Sequence, residues 1–450
     1  MRRWHAEWAW VGGAVLPHVL LEAEGDRFSE VRAGAPAPSD AVRLPGLTLP
    51  GFANVHSHAF HRALRGRAQA GRGTFWTWRQ RMYAVADRLE PDTYRALATA
   101  VFAEMALAGV TAVGEFHYLH HRRDGSPYDD PNAMGRALID AAADAGVRIT
   151  LLDACYLRGG FDAPLDGPQI RFGDGTAAAW RDRVAALLDD VPAHATIGAA
   201  VHSVRAVPPD EIAAVAAHAR AHALPLHVHL SEQAAENTAC LAAHGVTPAA
   251  LLDGADALGP RTVAVHATHL TDADIALLGG TATGACVCPT TERDLADGLG
   301  RTGDLAAAGS PLTLGSDQHA VIDLLEEARA LELHERLRTR RRGHFTAAEL
   351  LTALTATGHA ALGRPDAGSL TPGATADLVT VALDSVRTAG ADPAEAAVYA
   401  ATAADVTHVV NAGRPVVDDG RHLLVPDVPG ALASAIEAVT RPRTEGEERR

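Results

Sequence analysis

The sequence predicts an α/β fold, a (β/α)8 TIM barrel with a small β-sandwich domain built from both chain ends. Two observations predict it. From about residue 49, short apolar or β-branched segments alternate with long Ala- and Leu-rich segments about eight times, the number of repeats that closes a parallel barrel. The two flanks lack this alternation and contain short strand-like segments broken by turn residues, such as Gly12-Gly13.

The barrel strands are predicted where short apolar or β-branched runs occur. In chain order they are Phe52–His58, Thr111–Tyr118, Arg148–Tyr156, Thr196–Ser203, Pro225–Ser231, Thr262–Thr268, Gly284–Pro289 and Pro311–Asp317. Helices are predicted where Ala dominates and apolar residues recur at intervals of three and four. The clearest of these are Thr93–Ala108, Pro131–Ala145, Ala177–Leu188 and Pro209–Ala221.

Two domains follow from this pattern. The barrel is predicted over residues 49–364, and residues 1–48 and 365–450 are predicted to form the composite β-sandwich domain. The Gly- and Pro-bearing segment from Gly363 to Gly373 is expected to lead the chain from the barrel back to the β domain.

The composition restricts the possible partners and the compartment. The chain has 450 residues and a formal net charge of -15, which disfavours binding to nucleic acid or to an anionic membrane. All 40 basic side chains are arginines, so the chain contains no lysine. Four scattered cysteines do not form the pattern of a disulfide framework, and no apolar run approaches the roughly 18 residues of a membrane helix. We expect a cytoplasmic protein.

Histidines cluster where predicted strands end, and this clustering indicates a metal site. In a closed barrel the carboxyl ends of the strands converge on one face, where such folds build active sites. Imidazoles and one carboxylate suit a borderline divalent ion such as zinc. The residues at the ends of the first, fifth, sixth and eighth predicted strands are, in that order, His56 and His58, His227 and His229, His266, and Asp317.

This constellation resembles the amidohydrolase superfamily, in its deaminase branch. The resemblance implies that one divalent metal, most simply Zn²⁺, is held by His56, His58, His229 and Asp317. Strand alternation places His227 on the same face as His229, and the family pattern, with the ligand three residues before a glutamate, selects His229. Other branches bridge two metals with a carboxylated lysine, which this chain lacks, so we expect one ion.

The resemblance also implies the chemistry of the site. A divalent ion lowers the pKa of water and supplies hydroxide at neutral pH, which attacks a carbon bearing nitrogen. Glu232 stands where the family keeps its proton-shuttling glutamate and is expected to protonate the departing nitrogen. Asp317 can accept a proton from the water, and His266, beside the metal, can orient the hydroxide or stabilise the intermediate. The sequence leaves the division of base work between Asp317 and His266 open.

Arginines in the barrel loops indicate an acidic substrate. Arg79 follows two tryptophans after the first strand, and Arg205 lies just past the fourth strand, so two guanidinium groups suggest a dicarboxylate ligand. These loops resemble those of the formimidoylglutamate deiminases, which hydrolyse N-formimidoyl-L-glutamate to N-formyl-L-glutamate and ammonia in histidine degradation. The resemblance implies substrate contacts from Arg79, Tyr118, His202 and Arg205. It also places His61 at a substrate position where relatives often carry Gln.

The other interpretations share the barrel and differ in the substrate loops. Another mononuclear deaminase, of the guanine or triazine type, would use the same metal residues, and an enzyme that splits an N-formyl amide is a further alternative. A non-catalytic metal-binding barrel is disfavoured because binding alone does not need Glu232. The family resemblance further implies a homodimer.

Overall fold

The computed structural model describes residues 1–70, 72–73 and 75–441, without the side chains of Phe75 and Trp76. These two side chains, part of the predicted Trp-rich substrate loop, therefore lie outside the described residues. So does the part of the predicted β domain beyond residue 441.

The chain forms sixteen strands in the described ranges. In order they are β1 (Arg2–Val11), β2 (Ala14–Glu24), β3 (Arg27–Arg32), β4 (Val42–Pro50), β5 (Phe52–Ser57), β6 (Val110–His117), β7 (Arg148–Cys155), β8 (Ala195–Ser203), β9 (Leu226–Leu230), β10 (Thr262–His266), β11 (Gly284–Val287), β12 (Leu312–Leu314), β13 (Leu378–Val381), β14 (Val406–Asn411), β15 (Arg414–Asp418) and β16 (Arg421–His422).

The helices lie mostly between and after the barrel strands. Over the same described ranges they are α1 (Phe75–Ala86), α2 (Pro91–Leu107), α3 (Ala133–Ala145), α4 (Ala177–Leu188), α5 (Pro209–Ala221), α6 (Ala234–His244), α7 (Pro248–Gly254), α8 (Asp272–Gly280), α9 (Pro289–Asp294), α10 (Thr302–Ala308), α11 (Leu324–Thr339), α12 (Ala347–Leu354), α13 (Ala356–Ala361), α14 (Pro393–Tyr399) and α15 (Val428–Thr440).

Strands β5 to β12 form one parallel eight-stranded sheet in which each strand pairs with the next along the chain. The sheet closes through a parallel bridge between Ser57 and Asp317, which joins β5 to the segment after β12. The amide of His58 donates to the Asp317 carbonyl at 3.1 Å, and the amide of Asp317 donates to the His56 carbonyl at 3.0 Å. The predicted barrel is therefore confirmed, and its closure lies directly beside the predicted metal ligands.

A second eight-stranded sheet is built from both ends of the chain. Its strand order is β16-β15-β14-β13-β4-β1-β2-β3, and all its neighbours are antiparallel except β1 and β4. The pairing of β4 with β13 joins the N-terminal strands to the C-terminal ones. This confirms a second sheet composed of both flanks, whereas the domain boundaries at residues 48 and 365 stay predictions.

The C-terminal flank also contains a helix that the strand and turn pattern did not predict. Asp427 caps α15 by accepting a hydrogen bond from the Gly430 amide at 2.9 Å. Val428, Leu432 and Val439 are buried along one side of this helix, at the spacing of an amphipathic helix. Among the described residues, no helix is both long enough and apolar enough to cross a membrane.

Candidate metal centre and substrate cavity

The predicted metal ligands meet at the carboxyl ends of the barrel strands. His56 lies in β5 and His58 directly after it, His229 lies in β9, and Asp317 follows β12; all four are buried. Alternation along β5 explains why two histidines separated by one residue reach the same point.

The four side chains form a closed ring of short separations. His56 Nε2 lies 3.2 Å from His229 Nε2, and His229 Nε2 lies 3.3 Å from His58 Nε2. Asp317 Oδ1 completes the ring at 3.4 Å from His58 Nε2 and 3.2 Å from His56 Nε2. His266 has a donor atom within 4.8 Å of those of His56, His229 and Asp317, so it lies beside the ring.

The backbone around this ring is tightly constrained. Asp317 and His266 have φ angles of 42° and 67°, in the left-handed region that non-glycine residues rarely adopt. Gly315 lies against His56 so closely that an added Cβ would stand 2.8 Å from the His56 Cβ. Glycine at this position therefore lets the chain after β12 approach β5 and bring Asp317 to the histidines.

Hydrogen bonds fix the tautomers of two of the histidines. His58 Nδ1 lies 3.0 Å from the Phe116 carbonyl, and His229 Nδ1 lies 2.8 Å from the carbonyl of His202. Because a carbonyl only accepts, each Nδ1 must donate, and each neutral ring then presents a lone pair at Nε2. Burial lowers the pKa of both imidazoles well below the ordinary histidine value, so both rings are neutral.

These observations show that the ring fits a cation. Two neutral Nε2 atoms that face each other at 3.3 Å without a proton between them cannot hydrogen-bond to each other. Burial by itself would raise the pKa of Asp317, but its hydrogen bond with His56 and the nearby histidines outweigh burial and hold the pKa well below the ordinary carboxyl value. Three imidazoles and one carboxylate converging in this way suit a divalent metal ion.

His266 lies between two acidic side chains. Its Nε2 is 4.0 Å from Glu232 Oε1, and its Nδ1 is 3.5 Å from Glu292 Oε1. Burial alone would lower the pKa of His266, but the neighbouring carboxylates, Glu232 first among them, outweigh burial and raise it well above its ordinary value. Burial also raises the pKa of Glu232, whose side chain is 14% exposed. Burial thus raises the pKa of Glu232, whereas the neighbouring carboxylates raise the pKa of His266.

A cavity opens from the metal ligands toward solvent. It brings together the predicted substrate residues His61, Arg79, Tyr118, His202 and Arg205, and Glu232, His266 and Asp317 also line it. His61 Nε2 lies 3.0 Å from the Tyr118 hydroxyl, and Arg79 Nε donates to the Tyr83 hydroxyl at 2.8 Å. The cavity therefore contains the carboxyl groups of Glu232 and Asp317 and the guanidinium groups of Arg79 and Arg205.

His227, the alternative ligand in β9, does not join the ring. Its Nε2 donates to the Ala361 carbonyl at 3.1 Å, at the end of α13. A second group of donors, His117, His120 and Asp153, also comes together in β6 and β7 and the loop after β6. There Arg183 donates to both Asp153 oxygens at 2.8 Å, so this carboxylate is already occupied by a guanidinium.

Three buried glutamates around the site received no role from the sequence. Glu115, in β6, accepts from the Ser57 hydroxyl at 2.5 Å and from the Ala59 amide at 2.7 Å, on either side of His58. Glu292 accepts from the Cys288 amide at 2.9 Å while it faces His266. Glu236 lies four residues after Glu232, in the first turn of α6. Their position in the sequence could have indicated a role, because each glutamate follows or lies within a segment that ends at the carboxyl face of the barrel.

Comparisons with known proteins agree with this geometry. The sequence model of the amidohydrolase family matches residues 47–416. The chain is 38% identical over 431 residues to a formimidoylglutamate deiminase from Pseudomonas aeruginosa, which covers 91% of this chain and 94% of that protein. It is 33% identical over 388 residues to an 8-oxoguanine deaminase from the same species, with 82% of each protein covered. A crystal structure of an amidohydrolase from Brucella melitensis matches with a TM-score of 0.88 and 31% identity, over 98% of this chain and 100% of that one.

Proposed function

Since this chain belongs to the amidohydrolase family and is a metal-dependent hydrolase acting on C–N bonds, we propose that it deiminates N-formimidoyl-L-glutamate to N-formyl-L-glutamate and ammonia. One observation carries the proposal: a single cavity contains both the ring of metal ligands with Glu232 and the guanidinium groups of Arg79 and Arg205.

The charges in the cavity match the two ends of this substrate. Its glutamate moiety carries two carboxylates, which guanidinium groups bind through paired hydrogen bonds. Its formimidoyl group is an amidine, a base that is readily protonated, and Glu232 supplies a carboxyl group in the same cavity. A neutral purine has no carboxylate for these arginines to bind. The formimidoylglutamate deiminase that matches 91% of this chain supports the same choice.

We propose that the metal is one zinc ion, held by His56, His58, His229 and Asp317. The ligand atoms lie 3.2–3.4 Å from their neighbours around the ring, close enough together for all four to hold a zinc ion with bonds of about 2.0–2.2 Å. When bound, such an ion lowers the pKa of water and supplies hydroxide near neutral pH. The absence of lysine from the chain supports a single ion, because the lysine-bridged binuclear arrangement is not available.

We propose that side chains of the protein carry out the proton transfers. Glu232 delivers a proton to the nitrogen that leaves as ammonia, and burial raises its pKa, which favours the protonated donor. We assign the base role to Asp317, because His266 between two carboxylates favours the protonated form and acts as a donor to the developing negative charge. Tyr118 with His61, and His202, form the wall on which the formimidoyl group rests.

An ammonia-release assay tests the proposal. The purified protein is supplied with N-formimidoyl-L-glutamate, guanine, 8-oxoguanine and N-formyl-L-glutamate in parallel, and Glu232→Gln serves as the control for contaminating deaminases. We expect ammonia from N-formimidoyl-L-glutamate alone. Release from either purine without release from the formimidoyl substrate would assign the protein to the purine deaminases instead.

The remaining parts of the proposal concern the setting of the enzyme. We propose that it acts in histidine degradation and in the cytoplasm; none of the described helices could cross a membrane. A homodimer, implied by the family resemblance, is checked by measuring the mass in solution with light scattering.

A further inference from the structure

Glu236 is a buried carboxylate that links the cavity residue Arg205 to the backbone next to Glu232. It lies in the first turn of α6, and only 3% of its surface is exposed. Its Oε2 accepts a hydrogen bond from Arg205 Nε at 2.9 Å, and its Oε1 accepts from the Ser231 amide at 2.9 Å. One carboxylate therefore contacts both the arginine expected to bind substrate and the residue directly before Glu232.

The contact with Arg205 sets the direction of the guanidinium group. A guanidinium has a fixed fork of donors, so fixing Nε also orients the two terminal amines. In the described part of the chain, those two amines have no hydrogen-bond partner, and the Arg205 side chain is 33% exposed where it lines the cavity. Glu236 thus binds Arg205 Nε and leaves the two terminal amines of the guanidinium for a ligand carboxylate.

The contact with Ser231 sets the direction of the chain at Glu232. Ser231 has a φ of 50°, in the left-handed region, and this turn leads the backbone out of β9 toward Glu232. The Ser231 carbonyl accepts from the His269 amide at 3.0 Å, so both backbone groups of this residue are fixed. Loss of the bond from Glu236 would release one of the two restraints on the turn.

We propose that Glu236 is a positioning residue that couples binding of the substrate carboxylate at Arg205 to the placement of Glu232. This inference rests on the proposed function, because it requires a substrate with a carboxylate at Arg205 and a proton transfer at Glu232. It predicts two separable effects: loss of Glu236 weakens substrate binding through Arg205 and slows turnover through Ser231 and Glu232.

The test compares kcat and KM for N-formimidoyl-L-glutamate in the wild type, Glu236→Gln, Arg205→Met and the double variant. Glu236→Gln keeps the shape of the side chain and removes its charge. A hydrogen bond to a charged group corresponds to about a tenfold effect or more, so we expect KM to rise and kcat to fall by about tenfold each. In the Arg205→Met background, Glu236→Gln should leave KM unchanged and still lower kcat.

The matched control is Glu349→Gln. Glu349 also occupies the third position of a helix, α12, but it is exposed and bonds only its own helix cap, Thr346. This substitution should leave both constants unchanged. Glu236→Gln alone could fail to fold because it leaves the Arg205 guanidinium unpaired. The double variant has no guanidinium at this position, so its comparison with Arg205→Met still tests the effect on kcat.

The outcomes separate this inference from the proposed function. A wild type that is inactive on N-formimidoyl-L-glutamate overturns both. An active wild type with Glu236→Gln constants within twofold of it overturns the inference alone. If Glu236→Gln raises KM equally in the wild type and in the Arg205→Met variant, the inference is also overturned, because Glu236 would then not act through that arginine.

Discussion

Replacement of Glu232 by Gln removes a proton from the cavity and almost nothing else. The amide has the shape of the carboxyl group and can still hydrogen-bond, but it cannot give a proton to a departing nitrogen. The side chain is only 14% exposed and lies 4.0 Å from His266 Nε2, so bulk water has limited access to replace it. Glu232 is also not one of the four residues of the ligand ring, and we expect the variant to retain its metal.

The size of the effect follows from the role. General acid–base catalysis by one positioned group contributes about 10²- to 10⁴-fold, which corresponds to roughly 2.7–5.4 kcal/mol of transition-state stabilisation. We expect kcat of Glu232→Gln to fall by this factor, with a much smaller change in KM. Glu232→Asp, which keeps an ionisable carboxyl on a shorter side chain, should retain an intermediate activity.

The assay combines ammonia release with metal analysis of the same preparations. Because burial raises the pKa of Glu232, the wild-type activity should decline on the alkaline side only above the ordinary carboxyl range, where the proton to be delivered is lost. The residual activity of Glu232→Gln should lack this decline. A variant with normal metal content and a kcat within tenfold of the wild type would refute the assignment of proton transfer to Glu232.

Three other predictions concern substrate binding, metal content and stability. Arg205→Met should raise KM for N-formimidoyl-L-glutamate by at least about tenfold, the net effect of a hydrogen bond to a charged group; steady-state kinetics check this, and an unchanged KM would contradict it. Mass-spectrometric metal analysis should find about one ion per chain, and two would contradict the argument from the missing lysine. Arg183→Met should destabilise the protein by about 3–5 kcal/mol at pH 7 in denaturant unfolding, because it leaves Asp153 buried without its partner. Burial by itself would raise the pKa of Asp153, but Arg183 outweighs burial and lowers it. The ion pair therefore stabilises the wild type above the unfolded pKa of about 3.9, and the difference in unfolding free energy between the two proteins should shrink below about pH 4. A difference that does not change with pH would contradict this prediction.

The sequence predicted the parts of the fold that depend on local periodicity. The eight barrel strands lie within a few residues of the predicted segments, because apolar runs between amphipathic helices mark buried parallel strands. The last strand differs most: β12 ends at Leu314, although the predicted strand continues to Asp317. The left-handed backbone at Asp317 turns the chain out of the strand, and a single residue in that conformation leaves no signal in composition.

Strand alternation predicts which side chains point into the barrel, but not how far along the barrel axis each one lies. His227 and His229 share one face of β9, and the period-two rule cannot distinguish them. Two residues along a strand are separated by about 6.6 Å, and this distance decides that His229 reaches the ring while His227 bonds the Ala361 carbonyl. The height depends on how the strands are staggered around the barrel, which is a property of the closed sheet.

Sequence alone also does not distinguish a buried glutamate from an exposed one, as Glu236 and Glu349 show. Both occupy the third position of a helix, where glutamate commonly reaches back to the helix cap. Glu349 does so, because Thr346 supplies a hydroxyl for the reciprocal bond. The cap of α6 is Gln233, which makes no side-chain cap bond, and Glu236 instead bonds Ser231 and Arg205. Without Ser or Thr at its cap, α6 offers Glu236 no such reciprocal bond, and the side chain pairs with Arg205 instead.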